Sequence, residues 1–346
     1  MSIHLTRRDV CRGLCAVVVG GLTVARIARA ERLSIATSSR VFELPPDEDA
    51  KKPPVVSALR FDPTGKQLAA VGDDHHVRLY DVNEGRQTAR LIGHGDWVRA
   101  VDYAFDGAKL LSGGIDRKLL AWDPLDATAA PTLIATLPHA IAAVRCGRKS
   151  ALVAVAGFDK TVRLLDLAQS PAKARELEGP GEDLRGLDFS PDDRFVAAAG
   201  REGRVRVWNT ANGELVLEFQ PSKRRLQALL FSPDGKHLVT AGDDRRVHVQ
   251  PIVSPQMGWS LPEAGGKIFA LAFLDASQVA AAGSDNKIQL WDIVEQKSLG
   301  ALEGHTGSIR ALDFRGRRLI SAGFDTQLRV WSVGEKVAES NTVPIR

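Results

Sequence analysis

Beyond residue 30 this sequence contains a single cysteine. The chain of 346 residues has three, and Cys11 and Cys15 fall near its start, leaving Cys146 alone. A lone thiol forms no intrachain disulfide. There is no CxxC or CxxCH, which argues against a thiolate zinc site and covalent haem. The apolar stretch near the N-terminus, Gly13 to Ala25, has thirteen residues, and a membrane-spanning helix needs about 20. Charge of one sign is also missing. The net charge of +4 comes from residues 1–30, which hold five arginines and one acid; without them 41 bases face 41 acids. Nucleic-acid binding needs a sustained basic field, so it is not expected here. GxxxxGK[ST], HExxH and GxSxG are all absent, and EAGGK at 263–267 lacks the spacing of a phosphate loop.

What is present begins with residues 5–30, LTRRDVCRGLCAVVVGGLTVARIARA. Basic residues precede the apolar stretch, and Ala28-Arg29-Ala30 supplies an A-x-A cleavage pattern. Thr6-Arg7-Arg8-Asp9-Val10-Cys11 resembles the twin-arginine export signal. Thr6 and both arginines match, whereas Val10 and Cys11 replace the usual Phe and Leu. The general secretory route and an uncleaved anchor are the alternatives. The resemblance implies a bacterial-type signal that is removed, a periplasmic or extracellular protein, and no stable membrane insertion after cleavage.

A repeat of about 42 residues fills the remainder. Phe61, Tyr103, Cys146, Phe189, Phe231, Phe273 and Phe314 recur at intervals of 41 to 43 residues. Tyr80, Trp122, Leu165, Trp208, Gln250, Trp291 and Trp331 keep step. Each copy opens with alternating residues such as VSALRF or IRALDF, the period of a half-buried strand. Turns such as DPTGK and SPDGK follow, then segments such as QLAAVG and RLISAG. A third strand such as KIQLWD and a looser fourth complete the unit. No helical stretch is expected inside a repeat.

Four antiparallel strands per copy make one blade, and a lone blade cannot bury both faces. Gly93-His94 with Trp122-Asp123, Gly304-His305 and Trp291-Asp292 resemble the WD-repeat β-propeller family. The implied fold is all-β, a seven-bladed propeller of four-stranded antiparallel blades. The expected division is an export signal at 1–30, an N-terminal strand and linker at 31–54, the propeller at 55–333 and a tail at 334–346. The first copy starts at its inner strand, so the last blade needs an outer strand from elsewhere. RVFEL at 40–44 has the better strand pattern; EKVAE at 335–339 is the competitor.

The resemblance also assigns polar roles. His94, Ser112, Asp116 and Trp122 match the family's hydrogen-bond network, as do His305, Ser321, Asp325 and Trp331. Ser, His and Asp invite a hydrolase reading, but the set occurs twice with fixed spacing to a Trp, so a structural role is expected. Elsewhere Ala70, Val155, Ala198, Thr240 and Ala281 replace the serine, and those five blades are expected to rely mainly on apolar packing. The acidic and histidine pairs Asp73-Asp74, His75-His76 and Asp243-Asp244 read as solvated turns, and no metal or cofactor is expected.

In such a ring, residues flanking the start of each inner strand face the central channel. That places Arg99, Arg185, Arg225, Lys267 and Arg310 around one mouth, with Trp97, Phe158, Phe269 and Phe324 among them. Arg and aromatics are the commonest interface anchors. The expectation is a non-enzymatic, exported scaffold that binds a protein partner through an acidic peptide or loop. A solvated rim of scattered charges is the plainer reading of the same residues. Two other readings are an exported propeller enzyme, lactonase-like or dehydrogenase-like, working at the channel mouth, and a cytoplasmic WD-repeat scaffold. Nothing in the pattern specifies an oligomeric state.

Overall fold

The computed structural model describes residues 35–42, 44–45, 53–169 and 172–334. Among them, 28 strands form seven four-stranded antiparallel sheets. Blade 1 takes Val56–Phe61, Gln67–Gly72, His76–Asp81 and Arg86–Ile92 in chain order. The alternation that marked each inner strand is the physical pattern: Val56, Leu59 and Phe61 are buried. The outer strands are more exposed because one edge meets solvent; Arg86–Ile92 is mostly exposed, with only Leu91 buried. The core lies between blades. Val71, Val77 and Leu79 of blade 1 pack with Val101, Leu110 and Trp122 of blade 2. The described residues include no α-helix, only a 3-10 turn at Pro255–Met257, and no helix among them is long and apolar enough to cross a membrane.

The seventh blade closes the ring. Ile309–Arg315, Arg318–Gly323 and Leu328–Val333 are joined by Ile35–Phe42 as the outer strand. Arg40 lies opposite Val330 and Phe42 opposite Leu328. The added strand begins five residues before RVFEL and ends two before its last residue. Phe42 is buried with Val56, Tyr80 and Leu328, so it packs residues of blades 1 and 7 together. The Arg40 guanidinium donates to the Asn83 carbonyl at 2.6 Å and to that of Glu84. The competing segment at 335–339, the leading segment at 1–30 and most of the tail lie outside the described residues.

Two backbone devices position the mouth. In six blades the inner strand slips register at its second residue. The slipped residues are Ser57, Arg99, Ala142, Gln227, Phe269 and Arg310. A bulge leaves one residue outside the ladder and re-aims its side chain. The second device is the glycine ending the second strand. A Cβ on Gly114 would sit 2.5 Å from the Trp97 carbonyl, so only glycine lets that carbonyl approach. The carbonyl then accepts from the residue after the glycine: Ile115 N to Trp97 O is 2.9 Å and Phe324 N to Ser308 O is 2.9 Å. Each blade thereby ties its inner-strand entry to its second turn.

Lower in the channel, carboxylates staple blades together. Asp102 accepts from the Cys146 N–H at 2.9 Å, Asp188 from Phe231 at 2.8 Å and Asp313 from Phe61 at 2.8 Å. The last of these joins blade 7 to blade 1. Arg60 lies 3.4 Å from both Asp102 and Asp313.

Candidate functional site

The two Ser-His-Asp-Trp sets are complete networks. In blade 2 the Trp122 indole donates to Ser112 Oγ at 2.7 Å. Ser112 Oγ is 2.7 Å from His94 Nε2, and His94 Nδ1 is 2.9 Å from Asp116. Those contacts fit a neutral imidazole with its proton on Nδ1, each donor finding an acceptor in turn. Blade 7 repeats the chain with 2.8, 2.7 and 2.7 Å through Trp331, Ser321, His305 and Asp325. Burial lowers the His94 pKa, against the opposing hydrogen bond to Asp116. At Asp325, burial works upward, but the bond from His305 and backbone N–H donors outweigh it and hold the carboxyl below its usual range. Both serines are fully buried and engaged by an indole. A nucleophile must reach its substrate, which these hydroxyls do not. Losing one would orphan a buried donor, at about 1–3 kcal/mol.

The other five blades are less apolar than the sequence reading expects. Four residues after the turn acid, the third strand carries a second polar group aimed back at it. Arg78 Nε donates to Asp74 at 2.6 Å, Arg163 NH1 to Asp159 at 2.8 Å and Gln289 Nε2 to Asp285 at 3.1 Å. His248 lies 2.6 Å from Asp244. Arg206 departs from this, meeting Glu218 and the carbonyls of Glu178 and Gly179. The signal was in the sequence as a fixed Asp-x-x-x-polar spacing. Where the serine is missing, Trp291 leaves its indole N–H without a partner, beside Ala281.

At the channel mouth, Ser57, Arg99, Arg185, Gln227, Phe269 and Arg310 line a cavity of about 110 Å³. The cations expected there fall into two groups. Arg185 Nε and Arg225 NH2 each meet Asp183 at 2.8 Å. Arg185 also donates to Gln227, Gln227 donates to Asp243, and Lys267 lies 3.7 Å from Asp243. Along this arc through blades 4 to 6, three cations share two carboxylates. Arg99 and Arg310 have no ion pair among the described residues. Burial, then the charges of Arg99 and Arg185, push the Arg310 pKa down to about 10. Burial and then Arg185 lower Arg99. The Arg310 guanidinium stacks 4.9 Å over the Phe269 ring. Trp97, Phe158 and Phe324 stand exposed, at 48%, 39% and 57%. What the sequence did not reveal is the bulge that turns Arg99 and Arg310 inward, because period-two alternation reads through it.

The family model described as "WD domain, G-beta repeat" matches residues 48–81, 85–123, 172–209, 213–249, 258–292 and 296–332. The chain belongs to the WD-repeat family. Six repeats match and seven blades form. The first three strands of blade 3, residues 141–166, fall outside the matched segments, and Leu165 stands where blades 2, 4, 6 and 7 have tryptophan. Among curated proteins, "Nuclear distribution protein PAC1" of Arthroderma benhamiae is 27% identical over 293 residues, 81% of this chain and 59% of the relative. "Nuclear distribution protein nudF" of Aspergillus niger is 26% identical over 179 residues, 46% of this chain and 40% of that protein. "Ribosome biogenesis protein WDR12 homolog" of Chlamydomonas reinhardtii is 25% identical over 299 residues, 80% and 64%. The chain thus spans at most about two thirds of these relatives.

These WD-repeat relatives correct one expectation. The segment at 1–30 reads as an export signal and so places the protein in the periplasm or outside the cell. The relatives are eukaryotic proteins named for nuclear distribution and ribosome biogenesis, which point to an intracellular setting. A short basic-then-apolar segment is a weak address, since few residues define it and Val10 and Cys11 depart from the pattern.

Proposed function

We propose that this WD-repeat propeller is a non-enzymatic scaffold inside the cell that holds a protein partner by an acidic segment at the channel mouth. One observation carries the reading: Arg99 and Arg310 crowd a half-buried site with Arg185 and have no carboxylate of their own. Like charges held together in a low-dielectric site repel, and an incoming carboxylate relieves that repulsion. Arg presents a planar fork suited to a carboxylate. Exposed Trp97 and Phe324 supply apolar anchors beside it. The names of the relatives support the intracellular setting and a role in assemblies.

One experiment with two readouts tests the proposal. The tagged protein is located in fractionated cells, then titrated with a fluorescent twelve-residue peptide rich in Asp and Glu. The protein is expected in the cell interior, and binding is expected to weaken as salt rises. Arg99→Glu with Arg310→Glu is expected to weaken binding at least about tenfold, because reversal replaces attraction by repulsion. Recovery only outside the cell, or unchanged binding by the double variant, overturns the corresponding half.

A further inference from the structure

We infer that the mouth face is polarised, and that its partner is one extended segment with an apolar end over blades 7, 2 and 3 and an acidic end over blades 4 and 5. This rests on the proposed reading of the mouth and specifies the chemistry of what binds there. The position after the glycine of the second strand shows the polarity. It is Phe324 in blade 7 and Phe158 in blade 3, both exposed, and Arg201 in blade 4, whereas Asp73 in blade 1 and Asp243 in blade 5 have carboxylates already accepting from the Val55 N–H and the Gln227 amide. Those backbone positions are equivalent, since each N–H donates to the carbonyl at the entry of its own blade's inner strand: Ser308, Ala140 and Glu182. Trp97, in the corresponding entry of blade 2, adds a third exposed aromatic.

The opposite half gathers cations. The turn holding Arg201 and Arg204 packs against the loop holding Lys223 and Arg224. A Cβ on Gly203, whose φ is +73°, would fall on the Ser222 and Arg224 carbonyls. Glycine at 203 therefore lets the two loops touch and brings their side chains together. Glu202 lies 3.9 Å from Arg204, and Glu263 pairs with Arg245 and Arg246. Arg201, Lys223 and Arg224 are exposed and make no ion pair among the described residues. Arg99 of blade 2 and Arg310 of blade 7 line the channel cavity together with Arg185 of blade 4. A segment crossing this face meets aromatic surface, then two guanidiniums, then a basic rim, and charge complementarity fixes which end goes where.

The test uses two synthetic twelve-residue peptides of one composition, Leu, Phe, Asp and Glu. One has an apolar block followed by an acidic block, and the other alternates. By fluorescence anisotropy the blocked peptide is expected to bind at least about tenfold tighter, as anchors and charges then engage together. Lys223→Glu with Arg224→Glu, and separately Phe158→Ala with Phe324→Ala, are each expected to weaken the blocked peptide about tenfold. Circular dichroism checks that these surface variants keep the strand signal. Equal binding of the two peptides, or effects under about twofold from both variants, overturns the polarity. If Arg99→Glu with Arg310→Glu still abolishes binding in that case, the mouth reading stands without it. If that variant also leaves binding unchanged, the mouth reading falls too.

Discussion

His94 sits between opposing forces. Burial favours the neutral ring, and Asp116 favours the charged one. Burial wins, so the folded pKa lies below the ordinary 6.5. As pH falls past that value the unfolded chain takes up a proton that the folded chain refuses, and stability declines from there downward. Asp325 works oppositely. Its depressed carboxyl adds stability above the ordinary 3.8, lost as pH falls through the lower folded value. Urea unfolding between pH 7.5 and 5 is expected to show falling stability, and His94→Gln should flatten part of that slope. An unchanged slope would assign the decline to other groups. The His, Ser, Asp and Trp sets were legible because their spacing repeats. Arg78 and Arg163 were not. Apolar packing was the expectation for their blades, yet Arg78 is 3% and Arg163 8% exposed, because the turn carboxylate draws each inward.

At the scale of elements, Ile35–Phe42 does the most for its length. It gives Leu328–Val333 an outer neighbour, and Phe42 joins the core shared by the first and last blades. Phe42→Ala is expected to lower the unfolding free energy by about 3–5 kcal/mol, measured by urea titration. A cost below about 1 kcal/mol would mean that the ring holds without this clasp. RVFEL was legible as a closing strand because the first repeat begins at its inner strand and leaves the last blade one strand short. The five residues added before it carry no such pattern. The bulges were invisible for a related reason: one extra residue alters pairing but hardly disturbs a period-two reading.

At the largest scale the described residues form a closed ring of blades, and closure rests on polar staples as well as apolar seams. Asp313 holds the Phe61 N–H and faces Arg60 across the junction of the last and first blades. Asp313→Ala leaves that donor unpaired and halves the carboxylates around Arg60. It is expected to cost about 1–3 kcal/mol, with Asp102→Ala similar at the next staple. Exposed Asp126→Ala serves as the control and is expected to cost little. Equal stability of all three would remove the staples from the account. The sequence reading reached the number of blades, but not which of the cations expected at the mouth already meet a carboxylate. That depends on Arg225 meeting Asp183 and Arg185 meeting Gln227 across blades 4 and 5, contacts between residues 42 positions apart. The bulge at six of the inner-strand entries bears on divergence. Serine, alanine, glutamine, phenylalanine and arginine all occupy it on the same backbone. Standing outside the ladder, they are free of the constraints that fix their neighbours. Chains built on this ring can therefore change what they recognise, one blade at a time, while the part of the sequence that specifies folding stays still.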